Sequence, residues 1–124
     1  MTENADTRGR LLQQVWSGIR SHHESTVGNY PSAARAIEAG ASPTDLVTAM
    51  TVASYETAFR LLFLLSAEHA EEGDSEATIG WTLAEAELLA SGQAIPNGSS
   101  ALAFLHEDLL SSDPAGLEGQ DLFR

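Results

Sequence analysis

Apolar residues recur at helical spacing in the first part of the chain, on one face of a single predicted helix. The helix should begin near Asp6 or Thr7, either of which can cap free N–H groups, and should continue to about Thr26. Gly28 and Pro31 then favour its end. The stripe that should face the core consists of Leu11, Leu12, Val15, Trp16 and Ile19.

Two more helix starts follow. Pro31 suits the first position of a short second helix, which closes at Gly40. Ser42 can cap a third helix with Pro43 at its first position, the strongest helix start in the sequence. No glycine or further proline interrupts residues 43–69, so the third helix should be about 27 residues, or roughly 40 Å, long.

The third helix is apolar over much of its circumference, and the run LLFLL at 61–65 is apolar all round. Such a stretch should be covered on every side, yet a chain of 124 residues has few other elements with which to cover it. The sequence therefore predicts that the first and third helices pack together and that the third helix also pairs with its copy in a homodimer. The expected core residues are Leu11, Val15, Trp16 and Ile19 on the first helix, and Met50, Ala53, Phe59 and Leu62 on the third.

The segment after the third helix can be interpreted either as a helix or as a β-hairpin. Thr82 and Glu85 form a T-x-x-E capping box before a run of helix-forming residues, which favours a helix over 83–90. A small β-hairpin near 79–95 is the alternative, because apolar residues alternate there as in a strand. The alternating residues are Ile79, Trp81 and Leu83.

The last part of the chain predicts one more helix. Ser99 or Ser100 would cap it, and the sequence ALAFLHEDLL would form it. A turn should follow over residues 113–116, where aspartate, proline and glycine stand at favoured positions. The buried stripe of this helix would consist of Leu102, Leu105 and Leu109.

These elements predict a mainly α fold, a small helical bundle built around one long central helix at about 43–69. The chain should form a single domain over residues 1–124. Its C-terminal tail, residues 115–124, either stays mobile or docks through Leu122 and Phe123.

Composition removes several classes of protein. Cysteine is absent, which excludes disulfides, thiolate zinc sites and a cysteine nucleophile. The N-terminal residues lack the cationic start and apolar run of a secretory signal, so a cytoplasmic location is the default expectation. The longest apolar run has five residues, whereas a membrane span needs about 20, so we expect no membrane insertion.

The formal charge of −12 is unevenly distributed. Residues 1–60 hold six acids and five arginines, whereas residues 61–124 hold twelve acids and only Arg124. With no lysine in the chain, direct binding of nucleic acid is disfavoured, because that affinity rests on cations at phosphates. The charge favours a basic protein partner, and the alternative is that it serves solubility alone.

Motifs that carry chemistry are absent from the sequence. It has no glycine-rich phosphate loop, G-x-S-x-G elbow, EF-hand pattern or H-E-x-x-H pair, so we expect no catalytic residue, no metal and no cofactor. Four histidines still raise the question of a metal site: His22, His23, His69 and His106. Since His22 and His23 point about 100° apart on a helix, we expect one at the edge of the core and the other in solvent.

Three residues of the long helix form a candidate polar pocket: Tyr55, Glu56 and Arg60. Glu56 and Arg60 stand four apart in the favourable order for an ion pair within a helix. An exposed pair would contribute only tenths of a kcal/mol. A buried pair would instead mark a polar pocket or a subunit contact.

The favoured hypothesis is a non-catalytic acidic interaction or regulatory protein, like an inhibitor or immunity protein, that binds a basic protein. The alternative is a helical protein that binds a small molecule or a metal, enzymatic or not, through a polar site on the long helix. Under the first hypothesis the partner-binding residues are Glu68, Glu71, Glu72, Asp74, Glu76, Glu107 and Asp108.

Overall fold

The computed structural model describes residues 3–66, 81–96 and 102–123, with side chains from Thr7 onward. The fold is mainly helical with a small antiparallel hairpin, which confirms the predicted fold class. The α-helices of the described residues are α1 (Glu3–Ile19), α2 (Pro31–Glu38) and α3 (Pro43–Leu64), and the strands are β1 (Ala86–Leu88) and β2 (Ala94–Pro96).

Helix α1 ends earlier than its sequence pattern predicts. It stops at Ile19 instead of near Thr26, because the residues from Arg20 to Thr26 bring no apolar side chain to bury. The hydroxyl of Ser21 donates a hydrogen bond to the carbonyl of Gly18 over 2.8 Å, which satisfies one of the free carbonyls at the helix end.

Helices α2 and α3 begin where their capping residues predict. Pro31 opens α2, and Gly40 follows its end with a positive φ of 108° that favours glycine. The Ser42 hydroxyl accepts a hydrogen bond from the backbone N–H of Asp45 over 3.2 Å, and Pro43 occupies the first position of α3.

Helix α3 is shorter than predicted, with 22 residues ending at Leu64 instead of about 27 ending near residue 69. The Ser66 hydroxyl donates to the carbonyl of Phe63 over 2.6 Å, and Ser66 forms an isolated antiparallel bridge with Thr82. The chain therefore leaves the helix at Ser66 to meet a distant extended segment. Residues 67–69 of the prediction lie outside the described residues.

The favoured helix over 83–90 is wrong, and the alternative hairpin is confirmed. Strands β1 and β2 pair with Glu87 opposite Ile95. The N–H of Gly92 donates to the Leu89 carbonyl over 2.9 Å, and Gly92 has a φ of 88°. This is the geometry of a short hairpin loop that ends in a left-handed glycine, and the Ser91–Gly92 dipeptide marks its place in the sequence.

The last predicted α-helix is also wrong in type. The segment forms two short 3-10 helices, Leu105–Asp108 and Leu110–Ser112. Phe104 has a left-handed φ of 56°, which prevents a helix from running through it, and what remains is too short for a stable α-helix. The predicted caps Ser99 and Ser100 lie outside the described residues.

The buried stripe and the turn of this segment are nevertheless as predicted. The turn is closed by the N–H of Gly116, which donates to the Asp113 carbonyl over 2.9 Å. Beyond it, Leu122 is buried and Phe123 packs edge-on to Tyr55 with ring centres 5.5 Å apart. The stripe consists of Leu102, Leu105 and Leu109, all buried.

The core is built around Trp16, which is fully buried. Its ring stacks on Tyr55 of α3 with centres 5.9 Å apart, and its Nε1 donates to the carbonyl of Leu109 over 2.7 Å. Trp16 thus joins α1 to both α3 and the C-terminal segment. The rest of the buried cluster consists of Leu12, Ile19, Leu62, Leu102, Leu105 and Leu122.

Helices α1 and α3 pack together as predicted, with Leu62 buried in the core. Ala53, another expected core residue, is instead exposed. Nor is the LLFLL run covered on every side, because Leu61 is 53% and Leu64 is 44% exposed.

Truncating Trp16 to alanine should lower the free energy of unfolding by roughly 3–5 kcal/mol, since a fully buried indole and its hydrogen bond are lost. The matched control is Trp81→Ala, because Trp81 is 62% exposed; its cost should stay below about 1 kcal/mol. Denaturant unfolding of both variants measures the difference. Equal costs would show that the core is misplaced.

Candidate functional site

Arg20 makes charge-assisted hydrogen bonds to two acids of the C-terminal segment. It directly follows α1, where its guanidinium reaches two acids near the C-terminus. Nε and Nη2 donate to the two oxygens of Asp113 over 3.1 and 2.8 Å, and Nη1 donates to Asp121 over 3.0 Å. The Arg20 Cζ also lies 5.2 Å from the ring centre of Trp16, within cation–π range. We call Arg20, Asp113 and Asp121 the Arg20 clasp.

Asp113 is the buried member of the clasp, with no exposed side-chain surface. Besides Arg20, its oxygens accept the backbone N–H groups of Ala115 and Gly119, each over 3.0 Å. Burial by itself raises the pKa of this carboxyl, but the hydrogen bonds from Arg20 and from the two backbone groups outweigh it, so the pKa lies below its ordinary value. Asp113 therefore stays ionised although it is buried.

Asp121 completes the electrostatics of the clasp from a partly exposed position. The hydrogen bond from Arg20 lowers the pKa of Asp121, and the two carboxylates together raise the pKa of Arg20 above its usual range. Every charge in the clasp is thus stabilised as an ion. A group held so firmly in one protonation state is poorly suited to general acid or base catalysis.

Gly119 allows the C-terminal segment to close over the clasp. It adopts a φ of 74°, and a Cβ added there would lie 2.9 Å from the Cδ2 of Leu110. Glycine is therefore favoured there, because a larger residue would adopt this φ less readily and would push the Leu110 side chain aside.

The two arginines of α1 also bind acids from the second half of the chain. Arg8 donates to Asp108 and, over 2.6 Å, to the carbonyl of Ala103. Arg10 lies 3.9 Å from Glu85, which also accepts a hydrogen bond from the Thr7 hydroxyl. The uneven charge along the sequence is thus partly neutralised by folding, because the two arginines of α1 and Arg20 together meet four second-half acids.

The predicted acidic partner surface is only partly described. Glu107 is exposed and Asp108 is 51% exposed on its side chain, next to each other on the 3-10 helix Leu105–Asp108. Asp108 is bound to Arg8, which leaves Glu107 as the outward charge of the pair. The other predicted partner-binding residues, Glu68, Glu71, Glu72, Asp74 and Glu76, lie outside the described residues.

The structure does not bring the three residues of the candidate polar pocket together. Tyr55 is buried among Trp16 and Phe123, and burial raises the pKa of its phenol. Glu56 and Arg60 are both exposed, on another side of α3, and no ion pair joins them. Glu56 and Arg60 are therefore exposed, which is one of the two arrangements considered from the sequence, and these residues do not enclose a polar pocket.

The three described histidines have different surroundings. The His22 Nε2 is 3.1 Å from the Ser54 hydroxyl, and His23 is exposed. His106 is buried, edge-on to the rings of Phe59 and Phe63, while His69 lies outside the described residues. Within the described residues, no three histidines or carboxylates are grouped so that they could hold a metal ion.

Two of the surface depressions adjoin the clasp or the contact between α1 and α3. A cleft of about 260 Å³ lies beside the clasp, between Arg20, His22 and Thr51. An open groove of about 470 Å³ runs between α1 and α3. Its lining is mostly apolar and consists of Val15, Gly18, Ile19, Ala53, Ser54, Thr57, Ala58 and Leu61.

Sequence reasoning did not identify the clasp. Arg20 looks like one more polar residue past an apolar stripe, and its partners lie 93 and 101 residues away. The available signal was Asp113 at the head of a D-P-x-G turn, since a carboxylate there can accept backbone N–H groups. That signal predicts the turn but says nothing about which cation reaches it.

Comparison with known proteins gives no relative: no family model, curated protein or solved structure matches this chain. No helix in the described part of the chain is long and apolar enough to cross a membrane. The function must therefore be argued from the charges, surfaces and contacts described above.

Replacing Asp113 with asparagine should lower the free energy of unfolding by about 3 kcal/mol. Both carboxylate oxygens of Asp113 accept hydrogen bonds from N–H donors, so the NH₂ group of the asparagine side chain would face another donor in either orientation. Asp108→Asn is the matched control, since its half-exposed pair with Arg8 should contribute below about 1 kcal/mol. Denaturant unfolding at neutral pH compares the two variants, and similar losses would contradict the structural role of the clasp.

The clasp should also make stability depend on pH. Both carboxyls have lowered pKa values in the folded protein, so their contribution is complete above the unfolded value of about 3.9 and is lost as pH falls through the folded values. The stability difference between wild type and Asp113→Asn should therefore shrink as pH falls from about 6 to 3. The exposed-site control Glu118→Gln should show a small difference at every pH.

Proposed function

We propose that the protein is a non-catalytic interaction or regulatory protein, like an inhibitor or immunity protein, that binds a basic protein partner. One observation carries the proposal: Arg8, Arg10 and Arg20 are each occupied by acids that lie outside the acidic segment 68–76. We call the five acids of that segment the acidic run: Glu68, Glu71, Glu72, Asp74 and Glu76.

Few cations of the chain are left for the acidic run. No lysine or arginine occurs between residues 61 and 123. Of the arginines not bound to acids, Arg35 donates to the Ser32 hydroxyl and Arg60 is exposed on α3. Because like charges repel, a cationic partner would relieve the run's self-repulsion and would be steered toward it.

The described residues support binding more than catalysis. The one buried carboxylate with several donors, Asp113, is locked in an ion pair, and the one buried phenol, Tyr55, lies in an aromatic cluster. The alternative, a small-molecule or metal site on the long helix, loses support because Glu56 and Arg60 face solvent away from Tyr55.

A homodimer through α3 is the second part of this proposal. Leu61 and Leu64 are exposed on α3, and burying them against a second copy would remove apolar surface from water.

Neutralising the acidic run should slow association with the partner about tenfold at 0.01 M salt, where the Debye length is about 30 Å. At 1 M salt, where that length is about 3 Å, wild type and variant should associate at similar rates. A stoichiometric partner from a pull-down with the wild-type chain, identified by mass spectrometry, supplies the second protein for stopped-flow measurement. The variant carries Glu71→Gln, Glu72→Gln, Asp74→Asn and Glu76→Gln.

A matched control separates the run from overall charge. The control variant changes the net charge equally at exposed acids elsewhere: Glu24→Gln, Glu38→Gln, Glu87→Gln and Glu118→Gln. It should associate nearly as fast as wild type. Equal rates for all three proteins with no salt dependence would contradict the proposal and leave solubility as the role of the charge.

A further inference from the structure

Helix α3 has an exposed face opposite the one that enters the core. With 100° between successive residues, Ala53, Thr57, Arg60 and Leu64 fall on one stripe at spacings of four, three and four. All of them are exposed, whereas Tyr55 and Leu62 on the other side are buried. We call this surface the outer face of α3, and its members are Ala49, Ala53, Glu56, Thr57, Arg60, Leu61 and Leu64.

The sizes of the side chains change along the outer face. Its first half carries small residues, Ala53 and Thr57 among them, and its last two members are Leu61 and Leu64. If two copies of α3 pair antiparallel, Ala53 of each copy faces Leu64 of the other, so large side chains fit over small ones. A parallel pair would instead set leucine against leucine at one end and leave a gap at the other.

The charges of the outer face favour the same arrangement. Glu56 and Arg60 are exposed and make no ion pair with each other or with another described residue. Around a two-fold axis near residue 58, Glu56 of each copy comes beside Arg60 of the other, which gives two attractive pairs. Parallel pairing would place Glu56 next to Glu56 and Arg60 next to Arg60, and both contacts repel.

The outer face also continues into the groove between α1 and α3. Ala53, Thr57 and Leu61 belong to both, and the groove adds the apolar Val15 and Ile19 of α1. A second helix lying along the outer face would thus cover the groove as well, at the usual spacing of about 8–10 Å between helix axes.

We propose that two copies of this chain associate through the outer face of α3, antiparallel about a two-fold axis near residue 58, with Glu56 and Arg60 forming reciprocal ion pairs. This rests on the homodimer part of the proposed function and specifies its surface and register. It does not depend on the basic partner, because it involves none of the acidic run.

The first experiment measures mass against concentration by sedimentation equilibrium for wild type and charge-reversed variants. Glu56→Arg and Arg60→Glu should each weaken the dimer by roughly tenfold, since two attractive contacts become repulsive. An equimolar mixture of the two variants should regain the wild-type affinity, because each then supplies the charge that the other needs. The control Glu38→Arg makes the same charge change at an exposed residue of α2 and should leave the dimer unchanged.

The second experiment tests the direction of pairing, and the absence of native cysteine makes it unambiguous. Under mild oxidation, a mixture of the single variants Ala53→Cys and Leu64→Cys should give a disulfide dimer that contains one chain of each. Both positions are exposed, so neither change disturbs the core.

Each other outcome has a distinct meaning. A single-chain mass at all concentrations overturns both the homodimer and its register. A dimer that withstands the charge reversals, or that cross-links Ala53→Cys to itself, overturns the antiparallel register while the homodimer stands. Neither result bears on the basic partner, which is tested by its association rate.

Discussion

The position of the C-terminal segment depends on the ion pair between Arg20 and Asp113. The C-terminal segment has only short 3-10 helices, which cannot hold their shape alone. Its position is set by Arg20 at one end of α1 and by the Trp16 hydrogen bond to the Leu109 carbonyl. Both contacts come from the last turn of α1 and the residue after it, so the end of α1 positions the segment.

The sequence predicted correctly the features that depend on neighbouring residues, such as helix starts and buried stripes. Ser42 with Pro43 fixes the start of α3, and Trp16 with Leu109 belongs to stripes that spacing alone identifies as buried. Where two local patterns competed, local signals could not decide between them. The residues around Leu88 are good helix formers, but the left-handed turn at Gly92 and pairing with the second strand decided in favour of a hairpin.

Contacts between distant parts of the chain could not be predicted in this way. Arg20 and Asp113 are 93 residues apart, and neither residue lies in a sequence motif that identifies the other as its partner. The same limit applies to the charge: the twelve acids of the second half look uncompensated in sequence, yet Arg8 holds Asp108 and Arg20 holds Asp113. Folding therefore sorts the acids into those that hold the structure together and those, like Glu107, that face outward.

The same sorting applies to the apolar residues of α3. Periodicity showed that the helix is apolar nearly all round but could not show which side the chain itself would cover. Tyr55 and Leu62 are buried in the core, while Leu61 and Leu64 lie at the surface with Glu56 and Arg60. Scattered surface leucines are ordinary, but leucines that continue a stripe of small residues, flanked by opposite charges, have the pattern of a helix–helix contact. The single chain covers one side of α3, and the composition of the other side supports the proposed pairing with a second copy.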